Sequence, residues 1–142
     1  MAKPLHLVKL CVGVDTLDDL SRWADERLAD MRARGEREHL FHVTRMVPKR
    51  ADEVIGNSLY WVIKGHIQAR QQVLAIEPFR DGEGVKRCRL VFDNRIVPVE
   101  WKRKKAFQGW RYLKGAPPAD LPDGGVGLPP ALHRELAELG LL

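Results

Sequence analysis

The stretch from Ser58 to Phe79, SLYWVIKGHIQARQQVLAIEPF, constrains the fold of this chain more than any other. It begins with five consecutive β-favouring or apolar residues, Leu59 to Ile63. Such a run is typical of a strand that is buried on both faces. Lys64 and Gly65 then predict a turn, and a second apolar pattern follows. The stretch therefore predicts a central strand that is followed, after a tight turn, by another element of the core.

The segment after the turn has two interpretations. Ile67, Ala69 and the run from Val73 to Ile76 fit a long strand that stops at Pro78. A helix from Ile67 to Ile76 would bury the same residues, because short apolar runs do not separate the two periods. The β-branched end of the segment and its position directly after a turn favour the strand.

The remaining segments predict one long helix and several further strands. Thr16 followed by Asp19 resembles a capping box, and apolar residues from Leu17 to Met31 recur at helical spacing. Strands are predicted within residues 5–13, 39–47, 85–93 and 96–101. The predicted fold class is α+β: a small mixed or antiparallel curled sheet or pseudo-barrel, with one long N-terminal helix and a short C-terminal helix.

The C-terminal part of the chain differs in composition from the rest. Residues 1–114 are predicted to form a single domain, and residues 115–129, GAPPADLPDGGVGLP, a linker rich in proline and glycine. Residues 130–142 predict a short helix with Leu132, Leu136 and Leu139 along one face. Because an isolated helix of this length is marginal in water, we expect it to dock on the domain or on a partner.

Positive charge is concentrated in the middle of the chain. Residues 45–114 contain 16 basic and 7 acidic residues, whereas the whole chain has a net charge of +5. Segregation of this kind favours a polyanionic partner. A solvated basic face without any ligand would have the same composition, and this alternative stays open.

Hydropathy and cysteine usage predict a cytoplasmic protein. No segment has the apolar length of a signal-peptide core or of a membrane helix, so no membrane partner is expected. Cys11 and Cys88 each lie among strand-like apolar residues. This placement favours reduced core thiols over a disulfide framework.

A basic and aromatic stretch in the middle region predicts a nucleic-acid site. In VEWKRKKAFQGWRYLK, Val99 to Lys114, four consecutive cations stand between aromatic residues. Single-stranded nucleic acids bind to cationic grooves that carry exposed rings, and we expect Trp101 and Trp110 to be the best placed tryptophans. A packed edge with lysine stems across the rings is the alternative. The predicted contact residues are Arg45, Lys49, Arg50, Lys64, His66, Arg70, Lys102, Arg103, Lys104, Lys105, Trp110, Arg111 and Tyr112, with Trp110 and Tyr112 as stacking surfaces.

Two other functions stay open, although the sequence favours a binding protein over an enzyme. Thr44, a lysine at position 49 or 64, and Glu77 offer a hydroxyl, an amine and a carboxylate. These groups suffice for acid–base hydrolysis if the fold brings them to one pocket. The third hypothesis is a protein-interaction module that uses the C-terminal helix.

The sequence predicts neither a metal site nor a cofactor. His39 and His42 have a spacing that a helix could use for a metal, but the segment reads as a strand, where the two side chains point to opposite faces. The chain contains no glycine-rich phosphate loop, G-x-S-x-G or H-E-x-x-H motif. No oligomeric state follows from these patterns.

Three strings resemble a known family. At HVTRMVPKRADE, SLYWVIKGHIQARQ and FQGWRYLK the chain is similar to bacterial proteins, mostly from alphaproteobacteria, that are catalogued as the domain of unknown function numbered 1489. The resemblance runs from about Leu5 to Lys114. It implies no established activity.

A broader resemblance concerns architecture. A helix before short strands, with LYWVIKG leading through a turn to ARQQVLAIEPF, is similar to the PUA-like superfamily with its ASCH and EVE domains. The resemblance implies a pseudo-barrel that binds RNA or a modified nucleobase in a cleft beside the helix. For a few ASCH proteins it implies hydrolysis of a modified nucleoside, with Thr44, Lys64 and Glu77 as the matching set. The usual G-x-K-T motif is absent, and TRMVPKR stands only roughly in its place, which weakens the hydrolase more than the binding function.

Overall fold

The computed structural model describes residues 4–121 as a mixed α+β fold. Its elements are β1 (Leu7–Leu10), α1 (Leu17–Ala33), β2 (Phe41–Thr44), α2 (Ala51–Val54), β3 (Ser58–Ile63), β4 (His66–Arg80), β5 (Lys86–Phe92), β6 (Val97–Arg103) and β7 (Trp110–Tyr112). The predicted C-terminal helix at residues 130–142 lies outside the described residues, as does the linker beyond residue 121. Neither helix between residues 4 and 121 has the length and apolar content to cross a bilayer.

The sheet is mixed and strongly curled, as the sequence predicts. Six strands follow the order β2-β5-β4-β3-β1-β7, and β6 pairs with β4 outside this path. β1 and β3 are parallel, and the other strand pairs are antiparallel. The result is a half-barrel rather than a flat sheet.

The turn at Lys64 and Gly65 joins β3 to β4 in a hairpin. Both residues have positive φ angles, 48° and 81°, which suit a tight two-residue turn. β4 is 15 residues long: β3 and β6 pair with its first half, and β5 pairs with its second half. Because these partners satisfy the backbone along the segment, the strand prediction is confirmed and the helical alternative is wrong.

Both faces of β3 are covered by apolar side chains, and all six of its residues are buried. On one face, here called the inner face, Leu59 and Trp61 pack in the larger hydrophobic cluster together with Leu20 of α1. On the other face, Tyr60 and Val62 belong to a smaller cluster. Burial on both faces explains why the sequence of β3 is a continuous apolar run instead of an alternating one.

Helix α1 begins where the capping pattern predicts. The Thr16 hydroxyl accepts a hydrogen bond from the backbone N–H of Asp19 at 3.1 Å, which satisfies one free amide of the first turn. Leu20, Ala24 and Met31 are buried, whereas the side chain of Trp23 is half exposed. The helix therefore covers the core with a narrow apolar stripe and leaves one indole at its edge.

Strand β7 has no counterpart in the sequence prediction. It pairs antiparallel with β1, so that Trp110 lies opposite Lys9 and Tyr112 lies opposite Leu7. Three residues are too few to show the two-residue period of a strand, which is why the pattern is not readable from the sequence.

The beginning of the predicted linker lies along β6. Asp120 forms an isolated bridge with Val99, and the backbone N–H of Glu100 donates to the carbonyl of Ala119 at 2.8 Å. Arg70 on β4 donates two hydrogen bonds of 2.7 Å to the carboxylate of Asp120. We call residues 119–121 the edge segment.

Candidate nucleic-acid interface

A groove about 550 Å³ in volume lies between the end of β6, the following loop and β7. We call it the basic groove, because five of its eight lining residues are cations and none is acidic. Its lining residues are Arg103, Lys104, Lys105, Ala106, Phe107, Arg111, Tyr112 and Lys114. The groove thus comes from the same basic and aromatic stretch that the sequence singles out.

The loop after β6 is held by contacts to its neighbours. The backbone N–H of Lys104 donates to the carbonyl of Gly65 at 2.9 Å, which ties the loop to the β3–β4 turn. The Lys104 ammonium and the Arg111 guanidinium lie 5.7 and 5.5 Å from the centroid of the Phe107 ring. Both distances are typical of cation–π contacts, so Phe107 is placed between two cations.

The cations of the basic groove have no acidic partners in the described part of the chain. No ion pair among residues 4–121 includes Arg103, Lys104, Lys105, Arg111 or Lys114. Arg111 donates only to the backbone carbonyls of Gln108 and Trp110, at 2.7 and 3.0 Å. Five cationic side chains therefore line one concavity whose lining contains no carboxylate.

A second pocket of about 430 Å³ adjoins the basic groove and shares Arg111 and Tyr112 with it. Lys49 and Arg50 also line it. The Tyr112 hydroxyl accepts a hydrogen bond from the backbone N–H of Arg50 at 3.2 Å. These contacts bring the 49–50 pair, which is distant in sequence, next to the cations that follow β6.

Arg50 differs from the other cations because it is paired. Its guanidinium donates two hydrogen bonds to the Glu53 carboxylate, at 2.6 and 2.8 Å. This hydrogen-bonded pair raises the pKa of Arg50 and lowers the pKa of Glu53. Both side chains are largely exposed, so the pair remains open to exchange with an incoming phosphate.

Trp110 requires a correction, since the sequence predicts it as an exposed stacking surface. Its side chain is only 4% exposed and belongs to the inner-face cluster. The indole Nε1–H donates to the carbonyl of Met46 at 2.8 Å. Trp110 points inward because β7 pairs with β1, and its function is to hold β7 against the 46–50 loop.

Trp101 requires the same correction. It is 8% exposed, and its ring lies 5.4 Å from the ring of His66. On β6, Trp101 is buried and the next residue, Lys102, is exposed. Of the rings in the predicted stretch, the two that line the basic groove are therefore Phe107 and Tyr112.

Five predicted contact residues line neither the basic groove nor the adjoining pocket. Arg45 is exposed at the end of β2. Lys64 lies 3.1 Å from the Asp15 carboxylate, and Lys102 donates to the carbonyl of Ala116. Arg70 is held by the edge segment, and His66 is buried at 6% exposure. Three of them, Lys64, Arg70 and Lys102, are held by contacts that the sequence does not predict.

Three residues of the basic groove are absent from the predicted contact set. They are Ala106, Phe107 and Lys114. Each lies within the basic and aromatic stretch, so their inclusion follows from the same composition signal. What the sequence lacks is the direction of each side chain, which depends on the pairing of β7.

The residues of the alternative hydrolase lie apart. Lys64 is in the β3–β4 turn, whereas Glu77 is near the far end of β4, 3.6 Å from both Arg37 and Arg89. The eleven residue steps from His66 to Glu77 correspond to about 35 Å along the strand. Lys49 lines the pocket that adjoins the basic groove, and neither Thr44 nor Glu77 lines that pocket or the groove. The structure therefore does not assemble a hydroxyl, an amine and a carboxylate in one site.

Metal binding finds no support in the described chain either. Between residues 4 and 121, no group of three or more histidine, cysteine or acidic side chains is placed to hold a metal ion. His42 packs edge-on against the Trp61 ring at 6.0 Å, so its environment is aromatic. Cys11 and Cys88 are free thiols.

Comparison with known proteins gives one match. A family model described as a protein of unknown function, DUF1489, matches residues 7–142. No curated protein and no solved structure matches the chain. The kinship with PUA-like domains accordingly stays a prediction.

Proposed function

Because the chain belongs to the DUF1489 family, whose description assigns no activity, we propose its function from the basic groove: binding of single-stranded nucleic acid, with RNA as the expected polymer. One observation carries the proposal. Five cations without acidic partners in residues 4–121 surround a groove that also contains two aromatic rings. Cations and rings in one groove are the combination that single-stranded nucleic acids require.

The cations are suited to phosphates. Arg103, Lys105 and Lys114 extend from three different positions around the groove, so they can follow a backbone rather than a single phosphate. Ammonium and guanidinium groups bind phosphate oxygens by charge-assisted hydrogen bonds. Contacts of this type contribute affinity without reading the base sequence.

Tyr112 is the ring best placed for a base. It lines both the basic groove and the adjoining pocket, and the edge of its ring packs against Trp110 at a centroid distance of 5.0 Å. This packing leaves the ring only partly buried, with a fixed orientation. Stacking of one base on an aromatic ring contributes about 1–3 kcal/mol.

Lys49 and Arg50 add two cations beyond the end of the basic groove. They line the pocket that adjoins the basic groove, and the hydrogen bond from Arg50 to Tyr112 fixes their distance from it. A strand that occupies both concavities would pass over Tyr112. The PUA-like resemblance, which implies RNA binding, supports RNA over DNA as the polymer.

The test is a fluorescence anisotropy titration of the full-length protein with a labelled 12-nucleotide single-stranded RNA. We expect the logarithm of the binding constant to fall with the logarithm of salt concentration with a slope of about −3.5 if five phosphates are neutralised. This slope corresponds to about a 100-fold loss of affinity between 50 and 200 mM salt. Absence of binding at 50 mM salt, with the protein folded, would contradict the proposal.

A comparison of polymers refines the result. Single-stranded DNA of the same sequence tests the preference for RNA, and a duplex of the same length tests the need for unstacked bases. We expect the duplex to bind at least tenfold more weakly than the single strand. If the duplex binds as tightly as the single strand, stacking of a base on Tyr112 does not contribute to binding.

A further inference from the structure

A separate cavity lies between α1, the loop after β1, and β2. Its volume is about 350 Å³, which lies within the usual range for small-molecule sites. Four aromatic rings line it: Trp23, Phe41, Trp61 and Phe92. The cavity shares no residue with the basic groove or its adjoining pocket, so it is an independent feature of the fold.

The polar groups in the wall of this cavity are neutral. Both polar atoms of the Gln71 amide form hydrogen bonds: Oε1 accepts from the indole N–H of Trp61 at 2.9 Å, and Nε2 donates to the carbonyl of Asp93. Burial raises the pKa of the Cys11 thiol to about 11. Burial and, to a smaller degree, the charge of Lys9 lower the pKa of His42 to about 4. No acidic residue lines the cavity.

Two cations lie at its borders. The side chain of Lys9 is 9% exposed on the inner face of β1, next to Trp61 in the register of β1 and β3. The Arg27 guanidinium lies 5.8 Å from the Trp23 ring and 5.5 Å from the Phe41 ring, and both rings line the cavity. The Nε atom of Arg27 is buried and has no hydrogen-bond partner.

Neither cation has a counter-charge in the described chain. Among residues 4–121, no carboxylate forms an ion pair with Lys9 or Arg27. Lys9 is buried, so leaving its charge unpaired costs free energy because the ammonium group has lost hydration, whereas Arg27 is only partly buried. An anion in the cavity would attract both cations, since the charge of Lys9 acts on His42 and the Arg27 guanidinium contacts two of the lining rings.

We propose that this cavity binds a small planar carboxylate: an aromatic ring that packs among Trp23, Trp61 and Phe92, with its anionic group attracted by the cations Arg27 and Lys9 that border the cavity. The four lining rings provide edge-to-face and offset contacts for a flat molecule. The neutral imidazole of His42 offers one donor and one acceptor to the rest of the ligand. Selection of the ligand then depends on its negative charge as well as its shape.

The test uses two probes of nearly equal shape, 1-naphthoate and its neutral amide, 1-naphthamide. Each is titrated into ¹⁵N-labelled full-length protein, and the four indole N–H signals are followed by NMR. We expect 1-naphthoate to shift the signals of Trp23 and Trp61 and to bind at least tenfold more tightly than the amide. Equal affinity of the two probes would overturn the proposal, as would shifts confined to Trp101 and Trp110.

Variants of the two cations test whether they cause the preference for the carboxylate over the amide. Arg27→Gln and Lys9→Met each remove one cation, and each should reduce the preference for the carboxylate at least threefold. Arg22→Gln is the matched control, since Arg22 is an exposed arginine of the same helix that pairs with Asp19. If Lys9→Met does not fold, the carboxylate preference of Arg27→Gln alone tests the proposal. A preference that is unchanged in Arg27→Gln would contradict the assignment, whatever the outcome of the RNA titration.

Discussion

At the scale of single residues, Tyr112 connects the two halves of the proposed interface. Its ring lines the basic groove and the adjoining pocket, and its hydroxyl contacts the backbone of Arg50. We expect Tyr112→Leu to weaken RNA binding about 5- to 100-fold, because one stacked base contributes about 1–3 kcal/mol. Fluorescence anisotropy at constant salt measures this loss.

Tyr112→Phe is the matched control for this prediction. It keeps the ring and removes only the hydroxyl that accepts the hydrogen bond from Arg50. RNA affinity should therefore stay within about fivefold of the wild type, since a single exposed hydrogen bond contributes about 1 kcal/mol or less. If the leucine and phenylalanine variants bind equally well, the ring does not stack on a base.

His42 gives a prediction about pH. Burial, assisted by the charge of Lys9, lowers its pKa from 6.5 to about 4. Because the unfolded chain binds the proton more readily, stability is full at pH 7 and decreases as the pH falls below about 6.5. We expect a loss of about 2 kcal/mol in the free energy of unfolding between pH 7 and pH 5, measured by urea titration.

His42→Gln is the control for the pH experiment. Without the imidazole, the free energy of unfolding should decrease much less between pH 7 and pH 5, because most of the expected loss comes from protonation of His42. His6 also makes the protein less stable as the pH falls, since burial and the nearby Arg70 lower its pKa as well. An unchanged pH dependence in His42→Gln would mean that His42 is not kept neutral by its surroundings.

The chemistry of these residues is readable from the sequence, but their direction is not. Charge and ring content identify the stretch that contains Arg103 to Tyr112, which lines the groove. The same composition suggests Trp110 as an exposed ring, and this is wrong because β7 turns it inward. Lys9 lies in an apolar strand, where a lysine is unusual, yet only the tertiary structure shows that no carboxylate among residues 4–121 pairs with it.

At the scale of elements, long and strongly patterned segments are predictable and short ones are not. The cap at Thr16 and the apolar spacing after it identify α1, and the continuous apolar run identifies β3. β4 is the instructive case, because its apolar spacing also fits a helix. Its strand conformation is fixed by β3, β5 and β6, which pair along its length. β7 is defined by its pairing with β1 alone.

The edge segment leads to a prediction about truncation. Residues 119–121 form backbone hydrogen bonds with β6, and Asp120 receives two hydrogen bonds from Arg70. We expect a chain that ends at Leu121 to be about 2–3 kcal/mol more stable than one that ends at Lys114, since each such contact contributes about 1 kcal/mol. Urea unfolding of the two chains measures the difference.

Asp120→Asn in the chain that ends at Leu121 separates the two contributions. It removes the charge that pairs with Arg70 and leaves the backbone contacts to β6 in place. About half of the stabilisation should remain. Equal stability of all three chains would mean that the edge segment does not contribute to the fold.

At the scale of the whole molecule, the positive charge of the middle region is divided by the fold. Part of it is neutralised within the domain, as in Arg70 with Asp120 and Arg87 with Asp81. Five of the remaining cations line the basic groove, where residues 4–121 provide no acidic partner. The sequence predicts the excess of positive charge. It does not predict which cations are neutralised, because each ion pair joins residues that the folded sheet brings together.

The central claim is that the cations of the basic groove bind phosphates, and the most direct test compares two triple variants with equal net charge. One replaces Lys104, Lys105 and Lys114 with alanine, and the other replaces the exposed residues Arg22, Lys86 and Arg95. In titrations with single-stranded RNA, the first should lose about 100-fold in affinity at 100 mM salt and about 2 in salt slope. The second should bind like the wild type; equal losses in both variants would show that net charge, rather than the groove, attracts the RNA.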